Sequence, residues 1–308
     1  MSKLNAIILA ATAGALWLAP FAATSSQTID NAAAYALANQ LADELELVRE
    51  RMGRPYDDTP RLPVSEVSEL ELYFQVESLL EKANQLAQEL AGTAPRAPGP
   101  VPSGPVEPAD YYSLLEDALA QVRLVADAIG IGEQVRFEPR AAPISATGVF
   151  LVVIDVNRQL NLMLQVPIRN ADVFDEVSTA VTYAAALLSQ HTDSETVPAA
   201  PPFDGHKRPA DVYRLLTECI DAVIRIAPGY GVHVAGLSTR RNIPDDIGPG
   251  HAYDIARILV ADLFALTRAA DAPIVRRQLP TPKHVFPTQV YMQARILLRQ
   301  LEELEGRL

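Results

Sequence analysis

Five histidines, one cysteine and a few paired or isolated acids are the residues of this 308-residue chain that could do chemistry. His191 stands two positions from Asp193, and His206 two from Asp204, which is close enough to share a metal ion. A transition-metal site on helices wants ligands one turn apart, as His-x3-His or Glu-x2-His, and neither spacing occurs. Asp57–Asp58 and Asp245–Asp246 lack the alternating oxygen ligands of a calcium loop and read as solvated loop acids. No metal and no cofactor is expected. Cys219 is the sole thiol, so the chain has no internal disulfide, and the absence of Cys-x-x-Cys-His excludes a c-type haem. Its place in a helical apolar stripe reads as a small buried hydrophobe.

Three acids interrupt otherwise apolar helices: Asp155, Asp221 and Asp262. Buried and face to face across a cleft, such carboxyls would have displaced pKa values and act as acid and base. The expected reading is a polar outer helix face. Gly-x-Ser-x-Gly, a phosphate loop and a dinucleotide fingerprint are all missing. Gly130–Ile131–Gly132 and Gly229–Tyr230–Gly231 follow helices rather than strands, and read as caps. The chain is therefore not expected to be an enzyme.

Arginine supplies the only candidate binding site. Arg-x-x-Pro recurs at Arg136–Pro139, Arg241–Pro244 and Arg277–Pro280. A guanidinium in an extended segment can clamp a helix C-terminus or hold an external carboxylate or phosphate. Arg240, Arg241, Arg276 and Arg277 are the sharpest positive spots on an acidic protein, and a protein partner would meet them.

The elements that position these groups are written as one phrase repeated eight times. An aromatic opens each copy, and apolar residues follow at helical spacing. The aromatics are Tyr35, Tyr73, Tyr112, Phe150, Phe174, Tyr213, Tyr253 and Tyr291, spaced by 38, 39, 38, 24, 39, 40 and 38 residues. Matching the first four to the last four gives offsets of 139, 140, 141 and 141, the mark of an internally duplicated four-helix unit. Each copy predicts a helix of about 20 residues, roughly 30 Å long. Pro108, Pro209 and Pro287 fall at first helical positions, where a missing N–H is harmless. Asp110, Asp172 and Asp211 lie in first turns, Ser145 and Asn170 are natural N-caps, and Gly130 and Gly231 stand where left-handed C-caps belong. The aromatics read as core residues that fix how the chain enters each helix.

Proline-rich connectors of about 16 residues join the copies, long for helix bundles. The middle is different: VPIRN alone separates the fourth helix from the fifth. A link that short makes those two helices antiparallel neighbours. The long connectors leave the other directions open, since about 16 extended residues can cross the full length of a bundle. The expected fold is all-α, two tandem four-helix units over 26–166 and 167–308.

Residues 1–25 read as a secretory signal peptide: Lys3, an apolar run from Leu4 to Leu18, then Pro20 and small residues. An uncleaved anchor in the inner membrane is the alternative, because Leu4 to Ala23 just suffices to span a bilayer. No later run is long enough. Net charge is −12; residues 1–165 carry 11 basic and 21 acidic side chains, and 166–308 carry 15 and 17. That balance argues against nucleic acid and anionic membrane surfaces. The expected protein is an exported, non-catalytic helical scaffold of the periplasm or cell envelope, or secreted. The alternative is a periplasmic small-molecule-binding bundle with its pocket between helices or between the two halves.

Overall fold

The computed structural model describes residues 29–133, 135, 143–192, 196–199, 201–203, 205–237, 247–275 and 282–308. Eight helices carry the fold: α1 (Asn31–Met52), α2 (Glu69–Ala91), α3 (Pro108–Ala128), α4 (Ala146–Met163), α5 (Asn170–Leu188), α6 (Pro209–Ile226), α7 (Pro249–Ala269) and α8 (Pro287–Glu305). The expected all-α class holds. One two-residue antiparallel pair joins β1 (Val64–Ser65) to β2 (Gly236–Leu237), where the α1–α2 and α6–α7 connectors pass each other and their backbone groups need partners.

The residue two before the repeat aromatic sets most helix starts. Glu71, Asp110, Asp172, Asp211 and Gln289 each accept the N–H of the cap residue three positions earlier, at 2.5–2.9 Å. His251 does the same through Nδ1, 3.1 Å from the Gly248 nitrogen. Ser145 caps α4 as expected, its hydroxyl accepting from the Gly148 N–H. Asn170 does not cap α5. Arg169 takes the cap position because Asp172 already holds its N–H, and Asn170 becomes the first helical residue. Gly130 and Gly231 both have φ in the left-handed region, which a Cβ would strain.

Within each group of four, the helices form a closed ring. α1 and α2 each pack on α3 and α4; α5 and α6 each pack on α7 and α8. Side-chain bonds give the directions. Asn31 and Glu69, the first residues of α1 and α2, bond at 3.0 Å, and the Tyr111 hydroxyl near the start of α3 lies against both. Thr147, at the start of α4, accepts from the Val67 N–H just before α2. All four therefore run parallel. In the second group, Thr288 and Lys207 join the starts of α8 and α6, while Arg225–Glu305 joins their ends. The Arg307 guanidinium reaches the His191 carbonyl, and Arg257 of α7 reaches Glu176 of α5 at matching heights. These helices are parallel too. Long connectors follow directly, because each must return along a bundle roughly 30 Å long before the next helix begins.

The two bundles lie antiparallel to each other, with α2 against α7. Phe74 near the start of α2 meets Phe264 near the end of α7, and Lys82, two turns further along α2, meets Tyr253 near the start of α7. The short link Leu164–Arg169 reverses the chain as VPIRN requires. The expected packing of α4 along α5 does not occur, however: α4 packs on α1, α2 and α7, and α5 on α7 and α8. Leu164 leaves α4 extended, and α7 fills the place beside it.

Five repeat aromatics are core: Tyr73, Phe150, Phe174, Tyr213 and Tyr253. Tyr35, Tyr112 and Tyr291 are half-buried against it, and in α3 it is Tyr111 that is fully buried. Cys219 is buried as expected, and burial pushes its thiol pKa up, so it stays a protonated small hydrophobe.

Candidate functional site

The seam between the bundles is polar, and α2, α4 and α7 build it. Arg257 on α7 donates to Glu77 Oε2 (2.7 Å), to the Phe74 carbonyl (2.9 Å) and to Glu176 Oε1 (3.3 Å), with its guanidinium over the Phe74 ring. Burial opposes its charge, but Glu176 and the other carboxylates around it outweigh burial, and it stays ionised. Next along, Gln75 donates to the Asp254 carbonyl at 3.1 Å, and Asp254 pairs with Arg158 at 3.4 Å. Asn157 on α4 donates to the Gln75 carbonyl, and its own carbonyl accepts from Lys82 Nζ at 2.9 Å.

Lys82 is the pivot of this seam. Its side chain is 4 % exposed; Nζ also donates to Ser78 Oγ (3.1 Å) and stands 5.2 Å from the Tyr253 ring centre. Burial draws its pKa down to about 8, with the Asp254 charge limiting the fall. The lysine lies in the wall shared by two cavities. One, of about 250 Å³, has Ser78, Lys82 and Tyr253 at its base and the exposed Glu81, Val166 and Arg169 at its rim. The other, of about 280 Å³, runs between α4 and the start of α7, past Asn157, Arg158, His251 and Asp254. Ile168 of the short link lines both. Gly250 borders the second beside Asn161, whose side-chain amide would have to move to admit a Cβ there.

One constellation beside the second cavity has the residue types of a catalytic triad, but its hydrogen bonds run the other way. His251 Nε2 is 3.1 Å from Thr59 Oγ1 and 3.8 Å from Asp57, and the Thr59 hydroxyl donates to Asp57. A nucleophile's base must offer a lone pair to the hydroxyl proton. Here Nδ1 accepts the Gly248 N–H, so Nε2 carries the proton and Thr59 gives its own to Asp57. The histidine is a helix cap.

The three acids singled out from sequence have separate fates. Asp155 is half-buried and pairs with Arg61 at 2.8 Å, and Asp221 lies on the outer side of α6. Asp262 contradicts the outer-face expectation: it is 1 % exposed and faces Glu71, whose oxygens already accept the Ser68 and Ala235 N–H groups. Burial, then the Glu71 charge, pushes the Asp262 pKa well up. Burial and the neighbouring carboxylate thus favour its neutral form, and neither of its oxygens has a hydrogen-bond partner among the described residues. A helix that is outer in a lone bundle is inner where two bundles meet. Neither acid lines the cavities described above, so the pair reads as a bundle-to-bundle contact.

Arg240, Arg241, Arg276 and Arg277 lie outside the described residues, as do Arg136, Asp193, Asp204, Asp245, Asp246 and the segment 1–25 that reads as a signal peptide. Among the described residues no cluster of histidine, cysteine and acids could hold a metal ion, and no helix is long and apolar enough to cross a membrane. The cleft went unseen in sequence, yet it left a signal. The position nine after each aromatic holds Glu44, Lys82, Gln121, Gln159, Tyr183, Ala222, Asp262 and Gln300, polar in seven of eight copies. Gln121, Gln159 and Gln300 use it to hold connector backbone, at the Ala94, Asp57 and Thr196 carbonyls. Lys82 and Asp262 are the copies that the opposite bundle covers.

Compared with known proteins, the chain matches no family model, and no curated protein or solved structure resembles it significantly.

Proposed function

We propose that this chain is a small-molecule-binding helical protein whose ligand seats in the cleft between its two bundles. The observation that carries this reading is the pair of cavities, about 250 and 280 Å³, that share Lys82 and Ile168 and draw their walls from both bundles. Ligand pockets favour such junctions, and a few converging polar groups among apolar ones set their specificity. Buried lysine, arginine and aspartate are costly where plain apolar packing would hold two bundles together. Their presence in the seam supports a role beyond cohesion. Binding rather than catalysis is favoured by the capping role of His251. The alternative, a scaffold meeting a protein partner at Arg240, Arg241, Arg276 and Arg277, draws no support from the described residues.

The unit that binds is two four-helix domains, 26–166 and 167–308, the second a duplicate of the first. The shared aromatic register and the identical ring order, with all helices of a ring parallel, support that origin. The leader over 1–25 exports the protein to the periplasm, and the ligand would meet it there.

A thermal-shift screen of small polar compounds against wild type and Ile168→Trp tests the cleft. The added ring fills both cavities. A ligand at a hundred times its Kd stabilises by about 2.7 kcal/mol, a shift of a few degrees. The expected hit shifts wild type and not Ile168→Trp. Equal shifts in both, or none with any compound, would reject the cleft as a ligand site.

A further inference from the structure

Lys82 is in the wrong place to be a mere fastener. In three other copies of the repeat, the same slot holds a glutamine bonded to connector backbone, whereas the Lys82 amine bonds no backbone at all. Its partners are Ser78 Oγ and Asn157 Oδ1, two side-chain oxygens, with an aromatic ring on a third side. The amine stands between two cavities, one of which has an exposed guanidinium, Arg169, at its rim. An amine held among few polar groups and facing open volume is the arrangement that lets lysine act as a nucleophile towards carbonyl carbon.

We propose that Lys82 captures a small aldehyde in the cleft as a reversible imine. The inference rests on the cleft being a ligand site. The amine nitrogen forms a bond to the aldehyde carbon, giving a carbinolamine. The carbon–oxygen bond then breaks, and the oxygen leaves as water with the two hydrogens of the neutral amine. Nothing is oxidised or reduced. The Ser78 hydroxyl, 3.1 Å from the nitrogen, is the group beside the amine that passes the proton between nitrogen and departing oxygen. Arg169 at the mouth, which Asp172 meets only loosely at 3.6 Å, is the cation that a carboxylate on the aldehyde would meet. Burial keeps a large share of Lys82 as free amine near neutral pH, since its pKa falls to about 8. At pH 7.5 that is roughly two-hundredfold more neutral amine than an ordinary lysine offers.

The chain carries its own controls. It has four lysines, Lys3, Lys82, Lys207 and Lys283, and Lys283 is exposed while Lys207 is half-buried. Full-length mature protein is incubated with glyoxylate at pH 7.5, with and without cyanoborohydride, and the modified lysines are located by peptide mass spectrometry. Lys82 is expected to be trapped at least tenfold faster than Lys207 and Lys283. Glyoxylate alone should raise the melting temperature of wild type, and not of Lys82→Met. Labelling of Lys207 and Lys283 ahead of Lys82 would overturn the imine. A thermal shift by glyoxylate with Lys82 unmodified would also overturn it, while leaving the cleft as a ligand site. Neither shift nor adduct, joined with a failed thermal screen, would remove both.

Discussion

The two bundles share a ring order, a parallel arrangement of helices within each ring and a capping device, yet they treat the same positions in opposite ways. At the ninth residue after the aromatic, α2 has Lys82 facing α7, while α6 has Ala222, fully buried in its own core. At the same place α3 has Gln121, which bonds the α2–α3 connector, while α7 has Asp262, which faces Glu71 of the other bundle. Four residues after the aromatic, α7 has the buried Arg257 and α3 the exposed Glu116. The α2/α4 side of the first bundle meets the α7 side of the second, so no position faces its own counterpart. What differs between copies is therefore the seam, and what is common to them is the bundle. Departures from the repeat mark the surface that the fold chose to bury.

Five substitutions sharpen or break that comparison. The largest effect belongs to Arg257→Ala, which leaves Glu77 and Glu176 beside an empty, half-dry site. It is expected to cost about 3–5 kcal/mol, against less than about 0.5 kcal/mol for Glu116→Ala at the matching place in α3. Equal effects in urea unfolding would mean that the bundles part without loss. Next, Tyr213→Ala should cost about 3 kcal/mol, and the half-buried Tyr112→Ala distinctly less. A Tyr213 cost near zero would return the aromatic line to the surface.

The smallest effect is one of pH. Asp262 has a folded pKa raised above its unfolded value near 3.8, so the unfolded chain releases that proton first as pH rises. Its contribution to stability is whole below about pH 4 and drains away as pH climbs toward the raised folded value. Asp262→Asn keeps the neutral form at every pH. It is expected to change little below pH 4 and to stabilise at pH 8, measured as the difference in melting temperature from wild type. A variant that tracks wild type across that range would show that the fold does not hold Asp262 neutral.

Much of the bundle was legible in the chain because local rules write it. The aromatic register, Pro108, Pro209 and Pro287 at first helical positions, the acids at Asp110, Asp172 and Asp211, and the glycine caps all act within one or two turns, where sequence neighbours are also spatial neighbours. VPIRN likewise set the reversal at the middle, since a link as short as Leu164–Arg169 cannot carry a chain back along a helix. The site was not legible for the converse reason. Lys82 and Tyr253 are as far apart in sequence as two halves of the protein, and nothing local distinguishes a polar residue facing water from one facing another bundle. Composition and periodicity thus determined eight helices and what starts and stops them. Only the tertiary structure decided that each ring runs parallel, that α7 rather than α5 lies beside α4, and that Lys82 and Asp262 leave the solvent, because those outcomes depend on which apolar and polar faces meet once both bundles exist.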